Sequence, residues 1–143
     1  MRKVCRSALV PYTAEAMYAL VEDVAAYPDF LPWCTGATIH ARDAEVIDAS
    51  LQLQQGAIRK TFRTLNTLTA GSEIGLQLVG GPFKHLAGGW QFEQLGSDGC
   101  KVSLNLAFEF ENFLTDSLFG AFFEQTCNSL IDSFSERADA IYG

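Results

Sequence analysis

The side chains of this 143-residue chain that could do chemistry are two histidines, four cysteines and a scatter of carboxylates, and their spacing limits what that chemistry is. His40 and His85 each stand alone, without a GxSxG-type nucleophile turn and without two further ligands at metal spacing. Cys5, Cys34, Cys100 and Cys127 form no CxxC pair, so they signal neither a zinc site nor a dense disulfide framework and read as buried or half-buried thiols. Glu109 and Glu111 alternate with Phe108 and Phe110. On a strand whose phenylalanines face inward, the carboxylates face away and cannot converge on a substrate as an acid–base pair. Gly80, Gly81, Gly88 and Gly89 lack the strand-to-helix context of a dinucleotide loop and read as turn and sheet-bend positions. These residues point to a binding protein that is not an enzyme, with no metal and no cofactor.

Charge narrows the partners. Ten basic and seventeen acidic residues give a net charge of −7, which opposes sequence-independent binding to a phosphate backbone and excludes DNA as a direct partner. Two local basic clusters stand out, Arg2, Lys3 and Arg6, and Arg59, Lys60 and Arg63; with no interleaved aromatic platform they read as solvated strand faces. No run approaches the roughly 20 apolar residues of a membrane span, and Met1-Arg2-Lys3-Val4-Cys5-Arg6 lacks the apolar core of a signal peptide. The expected location is cytoplasmic.

The elements that must position these groups follow from periodicity, and they fit one domain over residues 1–143. A strand over 3–10 ends at Pro11, and Thr13 caps a helix over 14–24 in which Met17, Leu20, Val21 and Val24 recur at helical spacing. From Ala37 the period becomes two, through "DASLQLQQG", "AIRKTFRTLNTL", "EIGLQLVG", "HLAGGWQFEQL" and "CKVSLNLAFEFEN". Turns as short as "AGSE" and "GSDG" require an antiparallel meander. A long helix over about 114–141 closes the chain, its stripe of Phe119, Phe122, Phe123, Thr126, Leu130, Ile131, Phe134 and Ile141 facing away from Glu124, Asp132, Glu136 and Asp139. Arg137 falls within the apolar stripe, either laying its stem along the core with its head in water or facing a cavity. The plan is α+β, a curved antiparallel sheet over one long helix, with room beneath it for a pocket. Eleven Phe, four Tyr and two Trp either fill that core or wall that pocket.

Four stretches carry a resemblance: "VEDVAAYPDFLPWC", "GGPFKHLAGGWQFEQL", "FEFEN" and "SFSERADAIY". In their order and spacing they are similar, over nearly the whole chain, to the START-like (SRPBCC, helix-grip) branch that contains the coenzyme Q-binding proteins and the RatA proteins, often labelled oligoketide cyclase/lipid transport. The resemblance implies a sheet wrapped around the C-terminal helix and an internal apolar tunnel. Carried onto this chain, it implies a ligand-binding wall of Phe30, Leu31, Trp33, Phe83, Leu86, Trp90, Phe92, Phe108, Phe119, Phe122, Phe123 and Leu130, with Arg137 as the polar candidate. Pro28 and Pro32 fix backbone angles and restrict the residues before them, so "YPDFLPWC" can present Phe30 and Trp33 at the rim. Related sequences often carry a basic residue at the place of Leu65, whereas here Arg63 lies two positions earlier on the same strand face. The leading functional implication is binding of an isoprenoid quinone such as ubiquinone, or a related lipid, and its delivery to the respiratory chain, with transient peripheral contact at the inner membrane. The alternative is a RatA-type toxin that binds the large ribosomal subunit and blocks subunit association. The weaker third is a small-molecule (polyketide) cyclase.

Overall fold

Strict two-residue alternation builds the sheet. In the computed structural model, which describes residues 1–143, Cys100, Val102, Leu104, Leu106, Phe108 and Phe110 are all buried on one face of β7 (Gly99–Phe110). The other strands are β1 (Arg2–Val10), β2 (Cys34–Arg42), β3 (Val46–Gln55), β4 (Ile58–Thr69), β5 (Glu73–Gly80) and β6 (Phe83–Leu95). They form one sheet in the order β1-β7-β6-β5-β4-β3-β2, every pair antiparallel. Thus β2 to β7 are a meander, and β1 joins its far edge.

The link between β1 and β2 crosses the open side of the sheet. It holds α1 (Ala14–Glu22), whose Ala16 N–H donates to Thr13 Oγ1 at 3.1 Å, then a 3₁₀ turn over Val24–Ala26, and then one helical turn, α2 (Tyr27–Phe30). The expected helix over 14–24 therefore stops two residues early. The Pro-aromatic segment is less irregular than its composition suggests, because Pro28 lies in the first turn of α2, where a missing N–H costs nothing. Leu31, before Pro32, is extended as that position favours, whereas Tyr27, before Pro28, is helical, and Trp33 follows with its carbonyl accepting from the Gln54 N–H at 2.9 Å.

The single helix over 114–141 is instead a broken one: α3 (Phe113–Thr115), a π-helical turn over Asp116–Gly120, α4 (Ala121–Asn128) and α5 (Leu130–Tyr142). Two local causes are visible. Ser129 Oγ donates to the Thr126 carbonyl at 2.8 Å and the Ser129 N–H is shared between the Gln125 and Thr126 carbonyls, so side chain and backbone together tighten the turn and interrupt the ladder. At the π turn, Gly120 leaves room for a guanidinium: a Cβ there would lie 2.7 Å from Arg2 Nη2. Arg2 grips Asp116 with Nε at 3.0 Å and Nη2 at 2.9 Å and reaches Glu124 with Nη1 at 3.2 Å, tying β1 to the broken helix. Beside that cation the Asp116 carboxyl is held below the usual carboxylate range. Arg2 is therefore a structural residue and leaves the N-terminal basic cluster. The apolar stripe also ends short, since Ile141 is exposed, as are Phe113, Leu114 and Leu118 at the other end.

Curvature comes from β6. Gly88 has φ of 147°, and a Cβ on it would stand 2.0 Å from the Asn105 carbonyl oxygen; a Cβ on Gly89 would stand 2.5 Å from that of Ile74. Only glycines let β5, β6 and β7 approach this closely, and the bend they permit curls the sheet around α4 and α5. Gly88→Ala is expected to destabilise the protein by about 2–3 kcal/mol through strain and collision. Urea unfolding will show this as a lower midpoint at unchanged slope, and an unchanged midpoint would remove the glycines from this account.

Candidate functional site

Between the concave face of the sheet and the broken helix lies a cavity of about 80 Å³. The strands contribute Ala49 and Leu51 from β3, Phe62, Thr64 and Asn66 from β4, Leu76 from β5, Leu86 and Trp90 from β6, and Leu106 from β7. Phe123, Thr126, Cys127, Leu130 and Phe134 of α4 and α5 form the opposite wall, and Val24, Tyr27 and Trp33 close the end formed by the crossover. No Asp, Glu, Lys, Arg or His lines the space.

Aromatic rings set its shape. Phe134 receives three edge-on neighbours, Tyr27 at 5.4 Å, Phe30 at 5.3 Å and Trp90 at 5.4 Å between centroids. Phe123 holds the other side, against Phe108 at 4.9 Å, Phe83 at 5.1 Å and Phe62 at 5.8 Å. Such ring pairs exceed their area burial by roughly 0.5–1.5 kcal/mol each, so these walls are stiff.

Of the expected wall, Trp33, Leu86, Trp90, Phe123 and Leu130 line the cavity. The structure places the rest outside it, because α4 and the bend in β6 bring them against each other instead. Phe83, Phe108 and Phe119 form a closed aromatic core with Phe110 and Phe123. Leu31 is fully enclosed, Phe92 packs on Tyr18 beside α1, and Phe122 is half-buried against Phe119. Phe30 backs the wall one layer out. Arg137 also stays out of the cavity: its guanidinium carbon sits 4.9 Å above the Phe30 ring, a cation–π contact on the outer side of the aromatic cluster.

Sequence reasoning missed Thr64 and Asn66, and placed Thr126 on the buried stripe without giving it a polar role. Thr64, Asn66 and Thr126 are each more than nine-tenths buried. Thr64 Oγ1 donates to Asn66 Oδ1 at 2.8 Å. The available signal was the alternation in "TFRTLNTL", where Phe62, Thr64, Asn66 and Leu68 share a face; polar residues on a core face are the informative exception. Arg63 and Leu65 occupy the opposite, outer face, where Arg63 forks onto Asp48 at 2.7 and 2.6 Å and depresses its carboxyl. The basic group that the resemblance offered on β4 is therefore not available to the cavity.

The remaining reactive groups lie elsewhere. His85 is exposed, and exposed His40 lies 2.7 Å from Ser50 Oγ. Glu111 is exposed and Glu109 half-buried, both off the inner face. No three His, Cys, Asp or Glu side chains gather closely enough to hold a metal ion. Cys34 is buried, as are Cys100 and Cys127, whereas Cys5 is exposed.

The sequence model described as polyketide cyclase/dehydrase and lipid transport matches residues 10–135. The chain belongs to this family. Within it, the chain is 43% identical over 143 residues to the ribosome association toxin RatA of Vibrio cholerae, covering 100% of this chain and 99% of that relative. It is 26% identical over 133 residues to the mitochondrial coenzyme Q-binding protein COQ10 of Drosophila melanogaster, covering 90% of this chain and 55% of that relative. Among solved structures, a START superfamily protein from Mycobacterium smegmatis superposes with a TM-score of 0.82 at 21% identity, covering 97% of this chain and 98% of that one. The Zhui aromatase/cyclase from Streptomyces superposes with a TM-score of 0.85 at 16% identity, covering 96% and 93%. The helix-grip, START-like α+β fold expected from the sequence is thus the observed one. No helix is long and apolar enough to cross a membrane.

Cys127 is the site's one titratable probe in the α4 wall. Burial, helped by the nearby Glu124 charge, pushes its thiol from 9.0 up to about 12. A pKa raised on folding gives stability that is complete below the unfolded value and is lost as pH climbs toward the folded one. Stability is therefore expected to fall between about pH 9 and pH 12, with Tyr27, Cys34 and Cys100 shifted in the same direction by burial. Cys127→Ala should flatten part of that decline in denaturation curves taken across the range; an unchanged slope would show that the thiol is not held neutral.

Proposed function

We propose that this chain acts on the ribosome in the manner of its RatA relatives, binding the large subunit and hindering subunit association. The observation that carries this reading is identity of 43% along the full length of both chains, well above the 26% to the quinone-binding relative. Geometry supports a surface for it. Arg59 and Lys60, at the start of β4 beside the β3–β4 turn, have no acidic partner, whereas Arg2, Arg42 and Arg63 are paired with carboxylates. Two adjacent unpaired cations on an acidic protein offer a local point of phosphate contact. In sucrose gradients, stoichiometric protein is expected to raise the free-subunit peaks, and Arg59→Glu with Lys60→Glu is expected to reduce that rise severalfold while the circular dichroism spectrum stays unchanged. No rise with the unaltered protein would end this reading.

A second reading, carriage of a hydrophobic ligand, is favoured by the uncharged cavity. Its size argues against a full polyprenyl quinone in this form, because about 80 Å³ is small beside the roughly 300–1,000 Å³ of ligand pockets. A long tail would have to part the aromatic walls or lie outside them. Mass spectrometry of organic extracts of the purified protein tests carriage directly. Trp33, half-buried at the crossover end, is expected to act as a gate, so that Trp33→Ala weakens ligand retention more than folding; equal loss of both would make it ordinary core.

A further inference from the structure

The cavity has a polar pole that the fold itself does not use. Asn66 Oδ1 is occupied by the Thr64 hydroxyl, yet Asn66 Nδ2 has no hydrogen-bond partner in the protein, and neither do Thr126 Oγ1 and the Trp90 indole N–H. No fully enclosed polar side-chain atom in the molecule lacks a partner, so the Asn66 amide nitrogen keeps some open surface, and the residue, only 7% exposed, lines the cavity. An amide left facing an apolar wall is destabilising unless something satisfies it.

The donor set defines what that something is. The free groups are N–H donors together with one hydroxyl and the weakly donating Cys127 thiol, the Tyr27 hydroxyl is already donated to the Val21 carbonyl, and no charged side chain lines the space. An ion would find no counter-charge there, and a pure hydrocarbon would leave the amide unpaired. We infer that the cavity takes a compact, uncharged molecule, or the head of a larger one, whose carbonyl-type oxygen accepts from Asn66 Nδ2. Asn66 is the specificity residue of this site, setting an oxygen acceptor apart from an apolar isostere. The inference rests on the second reading above, that the cavity holds a ligand, and is independent of the ribosomal one.

The test is a matched pair of probes, acetophenone and α-methylstyrene, which differ by an oxygen in place of a methylene. Titrated into ¹⁵N-labelled protein, acetophenone is expected to bind about tenfold more tightly than the styrene and to shift the Asn66 side-chain amide signals, the size of one well-placed hydrogen bond. In Asn66→Leu that preference should shrink to near one, with styrene binding kept or improved. The unaltered protein supplies a sufficient test if the variant fails to fold. Equal affinity for both probes, or an unmoved Asn66 amide, overturns the anchoring role while leaving ligand carriage standing. A preference that survives in Asn66→Leu assigns it to another donor and also overturns it. Failure of both probes to bind overturns the inference, while the extracted ligand decides carriage separately.

Discussion

Everything in this protein depends on the close crossing of β6 with its neighbours at Gly88 and Gly89. A side chain at either position would collide with a carbonyl of the adjoining strand, at 2.0 Å from Asn105 and 2.5 Å from Ile74. With none there, the sheet curls far enough for α4 and α5 to lie inside it. The curvature also sets the gap between helix and sheet. A flatter sheet would leave Trp90 and Leu106 against solvent, and a tighter one would close the space over Thr64 and Asn66.

The helix answers that curvature by breaking. A straight helix over 114–141 would run past the curled sheet at one angle. The Ser129 turn and the π turn at Asp116–Gly120 let α4 and α5 address different parts of it. Phe123 then packs toward β4 and β6 near one end, and Phe134 packs toward Trp90 and Tyr27 near the other. The cavity is what remains between these two aromatic anchors. Arg2 holds the arrangement from outside, bridging Asp116 and Glu124 across a gap that only Gly120 leaves open. Because the guanidinium is about a third exposed, its contribution is geometric restraint more than stabilising energy.

Charge and polarity are divided between two surfaces. The inner face of β4 carries Thr64 and Asn66 without any ion, while the outer face carries Arg63 locked to Asp48. One strand therefore separates a neutral binding space from an ionic exterior, as its two-residue period requires. Arg59 and Lys60, without carboxylate partners, stand at the start of the same strand.

The sequence by itself determined the strand alternation, the Thr13 cap, the order of the meander and the family, because each rests on local periodicity or on contiguous motifs such as "GPFKHLAGGW". The family resemblance also implied five residues that line the cavity, Trp33, Leu86, Trp90, Phe123 and Leu130. It could not separate those five from Phe83, Phe108 or Phe119, because core and cavity wall have the same composition and differ only in whether a neighbour fills the space beyond them. Nor could it assign Arg2 to Asp116, 114 residues away, or break the last helix at Ser129, inside a stripe that keeps its helical period on both sides. Thr64 and Asn66 show the same limit most clearly. Their place on the core face was legible, but that one amide arm is left without a partner follows only from how the sheet and the two helices meet.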